Sequence, residues 1–270
     1  MAQFDTFTSG AQPTKPSKLS SLKGKVCVVG GGSGTVGSGI VRQLLLEGAT
    51  VIAPLRRPDQ ADQLKAECSG APLENLLPVV VDVSNEDVCQ QFVGGCVQRY
   101  GRIDHAVACF GGFWEGGALT DQSVSELYRV IGDCATTHFI FAKHILPAMR
   151  QEAGSSFLFI TGGAGERCVS PESSLYTVAQ STLYGIIAAA QAQYAEAPFR
   201  VGELRLNTFF KRHRELRNQS YQAGRGDWFG KRVYSNRKVG KLAAEVLLSG
   251  GRGERVTATP ERLEGISLTV

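Results

Sequence analysis

The chain has 270 residues, a formal net charge of +4 and 43% hydrophobic residues, which suit one α/β domain with a single large core. No glycine- or proline-rich linker divides its middle, no apolar run approaches a membrane span, and no secretory hydrophobic region opens it. Seven cysteines without a C-x-x-C or a pairing rhythm, and four histidines without ligand spacing, predict reduced thiols in a cytoplasmic protein and no metal site.

Residues 1–22 are polar and rich in Ser, Thr, Pro and Lys, and read as a mobile N-terminal arm ahead of a folded unit over 23–270. That unit opens on Val26-Cys27-Val28-Val29, an apolar run of strand length. The run empties into Gly30-Gly31-Gly32-Ser33-Gly34-Thr35-Val36-Gly37-Ser38-Gly39, and the helical pattern of Ile40, Val41, Leu44 and Leu45 follows at once. A strand–turn–helix junction aims unpaired backbone N–H groups, and the positive end of a helix dipole, at one point that suits a pyrophosphate. Glycine lets the backbone turn sharply and approach the ligand without a Cβ in the way. Gly31, Gly34 and Gly37, with Ser33, Thr35 and Val36 between them, are therefore the candidate phosphate cradle. The rival reading is a glycine-rich surface turn.

Further along, apolar runs predict strands at 50–53, 76–81, 105–110, 157–160 and 201–206. Helical patterns fall at 59–68, 85–99, 123–150, 174–196 and 236–249, with a short strand toward the C-terminus. Continuous apolar strands, each followed by a helix, predict a parallel sheet covered on both faces. In such a sheet the ligand sits beyond the carboxyl ends of the strands, near the point where strand order reverses. Residues 209–241 hold ten Lys or Arg against Glu215 and Asp227. They read either as a solvated loop face or as a basic lid, at about 207–238, over an anionic substrate or the cofactor phosphates. Nothing there interleaves aromatics at base-reading spacing, so no nucleic-acid partner is expected.

From about residue 22 to 258 the chain resembles the short-chain dehydrogenase/reductase family. The resemblance is carried by the glycine loop and its helix ending in Glu47-Gly48-Ala49, by Val81-Asp82-Val83, and by Gly101-Arg102-Ile103-Asp104. Leu146-Pro147-Ala148-Met149 adds to it, as does Tyr176-Thr177-Val178-Ala179-Gln180, which looks like the family's Tyr-x-x-x-Lys segment. The resemblance implies a Rossmann-like doubly wound parallel sheet in a single domain, a nicotinamide dinucleotide, and adenine held by Asp82 and Val83. It also implies a homodimer or homotetramer paired through the helices near 123–150 and 174–196, with no membrane partner. Where family members that prefer NAD place an acid, this chain has Leu55 followed by Arg56 and Arg57. A guanidinium there grips a 2′-phosphate, so NADP(H) is expected in preference to NAD(H).

The catalytic positions depart from the family. Tyr176 is in place, but Gln180 replaces the lysine whose ammonium would lower the tyrosine pKa. The serine position falls on Gly162 or Gly163, with Thr161 the nearest hydroxyl, and the asparagine position falls on Cys134. The Asn-Asn-Ala-Gly segment reads Ala108-Cys109-Phe110-Gly111, which keeps the glycine beside the cofactor. Phe113 and Trp114 either wall a substrate cleft or pack in the core. Glu166 either enters the substrate pocket or makes a surface ion pair. Cys134 is either a nucleophile or an inert buried thiol, and His138 is read as structural.

Tyr176, Gln180 and Thr161 are thus the catalytic candidates, and Phe113, Trp114, Cys134, Gly163 and Glu166 the pocket candidates. The expected function is a divergent NADP(H)-dependent reductase of an activated C=O, C=N or C=C group in a small molecule, anionic ones included. The alternatives are a non-redox cyclase or isomerase on the same scaffold, or an inactive dinucleotide-binding subunit.

Overall fold

The apolar runs form seven parallel strands in a computed structural model that describes residues 22–217, 227–228 and 231–268. They are β1 (Val26–Gly30), β2 (Thr50–Leu55), β3 (Leu76–Val80), β4 (His105–Ala108), β5 (Ser156–Gly162), β6 (Arg200–Leu206) and, late in the chain, β10 (Arg255–Ala258). Their order across the sheet is β10-β6-β5-β4-β1-β2-β3. Since β1 pairs with both β2 and β4, the order reverses at β1, and a crevice opens beyond its carboxyl end. This is the expected Rossmann-like architecture.

Side-chain alternation along each strand feeds two cores. Cys27 and Val29 face a layer built from α1 (Thr35–Leu46) and α8 (Asn236–Ser249), through Ile40, Leu44, Val239 and Leu242. Val26 and Val28 face the opposite layer, where α3 (Glu86–Tyr100), α5 (Thr137–Ala148) and α6 (Ser174–Gln193) bring Phe92, Phe141 and Leu183. The Gly101–Asp104 motif has a structural meaning. Asp104 is fully buried, accepts the Val26 N–H at 2.8 Å, and pairs with Lys25, Arg102 and Arg150 at 3.5, 3.0 and 3.5 Å. It ties the entrance of β1 to that of β4. Residues 1–21 of the arm expected over 1–22 lie outside the described residues, and Leu22, its last residue, is fully buried in the core.

Two expectations are corrected, and residues 218–226 and 229–230 of the expected lid lie outside the described residues. The strand predicted over 105–110 stops at Ala108, because Gly111 with φ +80° turns the chain across the crevice. The single helix predicted over 123–150 is α4 (Val124–Ile131) and α5, joined by a π turn at Gly132–Thr136. Thr137 Oγ1 bonds the Gly132 carbonyl at 3.0 Å, which helps hold this wide turn. Within the basic segment, β7 (Phe209–Lys211), β8 (Asp227–Trp228) and β9 (Lys231–Ser235) make a small sheet, with α7 (His213–Arg217) between β7 and β8. Lys238 and Lys241 bond the carbonyls of Leu263 and Ser267, and Arg232 pairs with Glu264, so these cations serve the packing of the C-terminal segment.

Candidate active site

The turn after β1 is built from close backbone contacts. Gly31 has φ +73°, and a Cβ there would run into the carbonyl oxygen of Cys109, while one at Gly37 would meet that of Gly31. The N-cap of α1, Gly34, makes no side-chain cap, so the first N–H groups of the helix are left to a ligand. Gly30 is a glycine for another reason. The ring of Phe110 fills the space a side chain at position 30 would take, and its edge meets His138 and Phe141 at centroid distances of 5.2 and 5.1 Å.

Two cavities of about 330 and 420 Å³ lie over the strand ends and share Gly34, Cys109, Phe110, Gly111 and Gly112, so they form one trough. The first contains Thr35, Val36, Gly37, Phe113, Thr161, Gly163, Tyr176 and Gln180. The second contains Gly31, Ser33, Arg56, Asp82 and Val83. The expected cofactor residues and the expected tyrosine are therefore brought together, with the exception of Arg57. Arg57 is exposed and pairs with Asp59 at 3.1 Å.

Around Tyr176 the chemistry is unusual. A Cβ at Gly162 would stand 3.1 Å from the Tyr176 hydroxyl, which places Gly162 where a serine would face it. Gln180 is buried, and its Oε1 accepts the Gly162 N–H at 2.8 Å, while the Tyr184 hydroxyl donates to the Gly162 carbonyl at 2.5 Å. The end of β5 is thus clamped by two side chains of α6. Burial holds the Tyr176 pKa above its ordinary value, and Gln180 offers no charge to lower it.

Other candidates are placed outside this chemistry. The Thr161 hydroxyl is turned to the buried carboxylate of Glu203 at 2.6 Å, which also takes Arg205 at 2.6 Å, because a buried charge needs every donor within reach. Glu166 pairs with Arg205 at 2.6 Å and lines neither cavity. Arg205 lies 3.6 Å over the Tyr184 ring, completing a cluster that buttresses β5 and β6. Trp114 donates its indole N–H to Glu126 at 2.7 Å, packs against the cluster of Val130, Cys134, Leu175 and Ala179, and lines neither cavity.

Cys134 packs against Gly111, where a Cβ would come within 2.8 Å of its sulfur. Burial raises its thiol to about 11, so it is an inert filler and not a nucleophile. His138 is fully buried and structural: its Nδ1 is bonded to the Cys134 carbonyl and its Nε2 accepts the Phe110 N–H at 3.4 Å. Burial lowers its pKa to about 4, which keeps the ring neutral.

Gln60 and Gln63, overlooked in the sequence, also line the second cavity, and the expected lid segment brings Arg212 to that cavity and Asn207, Phe209 and Phe210 to the first. Among the described residues no Lys, Arg or His lines the first cavity. Phe113 meets Tyr176 and Phe209 edge-on at 5.1 and 5.5 Å, giving that cavity an aromatic wall. Among the described residues no helix is long and apolar enough to cross a membrane.

The family model for short chain dehydrogenases matches residues 25–207, more than half of the chain. The chain belongs to the short-chain dehydrogenase family. It is 29% identical over 180 residues to the short-chain dehydrogenase/reductase SDRA of Arabidopsis thaliana, covering 64% of this chain and 67% of that protein. It is 37% identical over 144 residues to the 3-oxoacyl-(acyl-carrier-protein) reductase FabG of Thermotoga maritima, covering 53% of this chain and 58% of that one. These matches thus span only about half to two thirds of the relatives' own length.

A solved short-chain dehydrogenase/reductase from Serratia marcescens shares the fold, with TM-score 0.72 and 21% identity over 88% of this chain and 98% of that one. Membership of the short-chain dehydrogenase family implies a nicotinamide dinucleotide and a small-molecule substrate. The residues fit such a cofactor. The cradle at Gly31–Gly37 admits no side chain at its tightest points, and Arg56 and Arg212 line the second cavity.

Proposed function

We propose that the chain is an NADP(H)-dependent reductase of an activated C=O, C=N or C=C group in a small molecule. The observation that carries this reading is Tyr176 lining the same trough as the glycine cradle and Arg56. The cofactor, when bound, supplies hydride. Arg56, in the second cavity beyond the end of β2, supports the 2′-phosphate form, because a guanidinium takes a phosphate bidentately. Phe113, Phe209 and Phe210 wall the reacting end with aromatic surface, which suits an apolar substrate body or a cation over a ring face.

Tyr176 stays protonated throughout the physiological range and gives up its proton reluctantly, since burial raises its pKa. Gly162 offers no hydroxyl to a substrate oxygen, and the Gln180 oxygen is taken by the Gly162 N–H. Such a corner suits substrates that need little acid assistance, such as iminium ions and conjugated enones.

The test is a fluorescence titration of the purified protein with NADPH and NADH, followed by NADPH oxidation with an iminium ion, an enone and a simple ketone. NADPH should bind more tightly than NADH and be oxidised by the first two. No NADPH binding at millimolar concentration overturns the reading. Tyr176→Phe should slow turnover of the best substrate, and unchanged turnover removes the tyrosine from the mechanism.

Pairing of two copies through α4, α5 and α6 is part of the same proposal. It is supported by the exposed Val124, Tyr128 and Phe139 on α4 and α5. Light scattering that shows a monomer at micromolar concentration would remove it.

A further inference from the structure

We propose that the Asn207 side-chain amide holds the carbonyl oxygen of the substrate, and that this substrate is an α,β-unsaturated carbonyl compound. This rests on the functional reading above and deepens it, by choosing among the C=O, C=N and C=C groups. Asn207 follows β6 directly and lines the first cavity with Tyr176. Leu206 is in register with Gly162, so Asn207 stands one step beyond the glycine that faces the Tyr176 hydroxyl. Its backbone N–H donates to the Ala258 carbonyl at 3.4 Å, and the neighbouring Thr208 hydroxyl donates to the Arg232 carbonyl. The backbone that carries the amide is thus held on both sides.

Gly163 makes room for it. Its φ is not left-handed, so the backbone there does not demand a glycine. Space does, because a Cβ at Gly163 would run into Asn207 Oδ1 and stand 2.9 Å from its Cγ. The missing side chain after β5 and the amide after β6 are matched.

The amide is also uncommitted. Other polar side chains at these strand ends are engaged: Thr161 with Glu203, Thr208 with the Arg232 carbonyl, and the Gln180 oxygen with the Gly162 N–H. The side-chain oxygen and nitrogen of Asn207 make no hydrogen bond among the described residues. With neither atom held, the amide turns about its last bond and can present Nδ2 to an oxygen in the cavity.

The chemistry selects which oxygen. Hydride added to the β-carbon of an enone moves the C=C electron pair toward the carbonyl carbon and the C=O pair onto oxygen, giving an enolate as NADPH is oxidised to NADP+. Water then gives a proton to the α-carbon, and the C=O bond re-forms. An enolate is a weaker base than the alkoxide left by a simple ketone, so it can wait for solvent where Tyr176 holds its proton. What it needs is a fixed donor at the oxygen while the charge is there, and an amide N–H supplies one. An iminium ion has no such oxygen and gains nothing from Asn207.

The experiment compares wild type, Asn207→Leu, Gly163→Ala and the double variant on 2-cyclohexenone and on protonated 2-methyl-1-pyrroline, beside NADPH titrations and thermal melts. Leucine fills the same space without a donor, so Asn207→Leu should lose about 10- to 100-fold in kcat/KM for the enone. Iminium reduction and NADPH affinity should change by less than about threefold. Gly163→Ala pushes the amide aside without altering it, and should slow the enone selectively in the same way. The double variant should then be no worse than Asn207→Leu, because both changes remove one contact.

Equal losses on the two substrates, or an enone rate untouched in Asn207→Leu, overturn the proposal. If Asn207→Leu melts early, Gly163→Ala decides by the same ratio of enone to iminium turnover. A wild type that binds NADPH but reduces no enone overturns this proposal and leaves the NADP(H) reading standing. A wild type that binds no NADPH overturns that reading, and this proposal with it.

Discussion

The two ends of the trough have been treated very differently by the same sequence. At the cofactor end, Gly31 and Gly37 stand where a Cβ would run into a backbone carbonyl, so the chain has no freedom to vary them. At the proton-handling end, Gly162 stands where a Cβ would have 3.1 Å to the Tyr176 hydroxyl, and where φ −111° suits any residue. A serine could sit there with little adjustment, and it is absent. The cradle glycines are held by the fold, whereas Gly162 is a choice about chemistry. Binding a dinucleotide and moving a proton are therefore separable properties of this scaffold, and this chain has kept the residues for the first while altering those for the second.

The largest effect should come from breaking the cofactor end. Gly37→Ala pushes a Cβ into the Gly31 carbonyl, which can yield only by opening the loop. Loss of NADPH binding by more than about 100-fold is expected, with destabilisation of about 2–4 kcal/mol. Gly162→Ala, measured beside it by titration and melting, should cost less than about 1 kcal/mol, since one hydroxyl must shift by only a few tenths of an ångström. Equal losses in the two variants would erase the distinction between the ends.

Acid tests the wall behind the trough, where His138 joins the π turn to the strand end through Cys134 and Phe110. His105, bonded to Ser156 at 2.8 Å, is buried in the same way, and burial lowers both rings to about 4 from 6.5. Each ring binds a proton less readily folded than unfolded. Stability is therefore complete above pH 6.5 and is lost as the pH falls from 6.5 toward 4, by up to about 3 kcal/mol per ring. Melts across this window should fall steeply, and His138→Asn should flatten the slope. NADPH binding by the folded protein should hold through most of this window and weaken only as the pH nears 4, where Nε2 takes a proton and can no longer accept the Phe110 N–H.

Much of this was legible in the chain. The β1 run, the glycine turn and the α1 pattern are local, and local sequence places them. The alternation of apolar strands with helices then fixes a parallel sheet and the crevice at its reversal. The family resemblance also locates Tyr176 and Gln180, and leaves the serine position between Gly162 and Gly163. The rest depends on contacts between distant segments. Nothing near Thr161 announces that Glu203 and Arg205, on the neighbouring strand, would claim its hydroxyl. Glu166 carries no sign of Arg205, and Trp114 none of Glu126. Among ten basic residues in one segment, only the fold distinguishes Arg212, which is buried over the glycine loop, from Lys241, which reaches a carbonyl on the C-terminal segment. The π turn that seats Cys134 beneath Gly111 was hidden inside an ordinary helical pattern.

The proton-handling end can be rebuilt in place. Gly162→Ser combined with Gln180→Lys puts a hydroxyl beside Tyr176 and an ammonium one helical turn from it. The cation should bring the tyrosine pKa down from its raised value, and general acid catalysis by a matched group contributes about 10²–10⁴-fold. The double variant should reduce a simple ketone about 100-fold faster than wild type, with a pH limb that wild type lacks. It should leave NADPH affinity within about threefold, because the cradle is untouched. A gain in affinity with no gain in turnover would show that the two ends are not separable.

The smallest effect separates two neighbours in sequence. Arg56 and Arg57 are equivalent as letters, but Arg56 lines the second cavity while Arg57 turns to solvent and pairs with Asp59 on the surface. Arg56→Ala should weaken NADPH by about tenfold and NADH hardly at all, since one charge-assisted contact to the 2′-phosphate is removed. Arg57→Ala should change either affinity by less than about twofold, because an exposed ion pair is screened and exchanges readily with water. The contrast should shrink in 1 M salt for Arg56 and stay negligible for Arg57. If the two variants lose NADPH affinity equally, the 2′-phosphate is held by the net charge after β2, and the cavity at that strand end is not its seat.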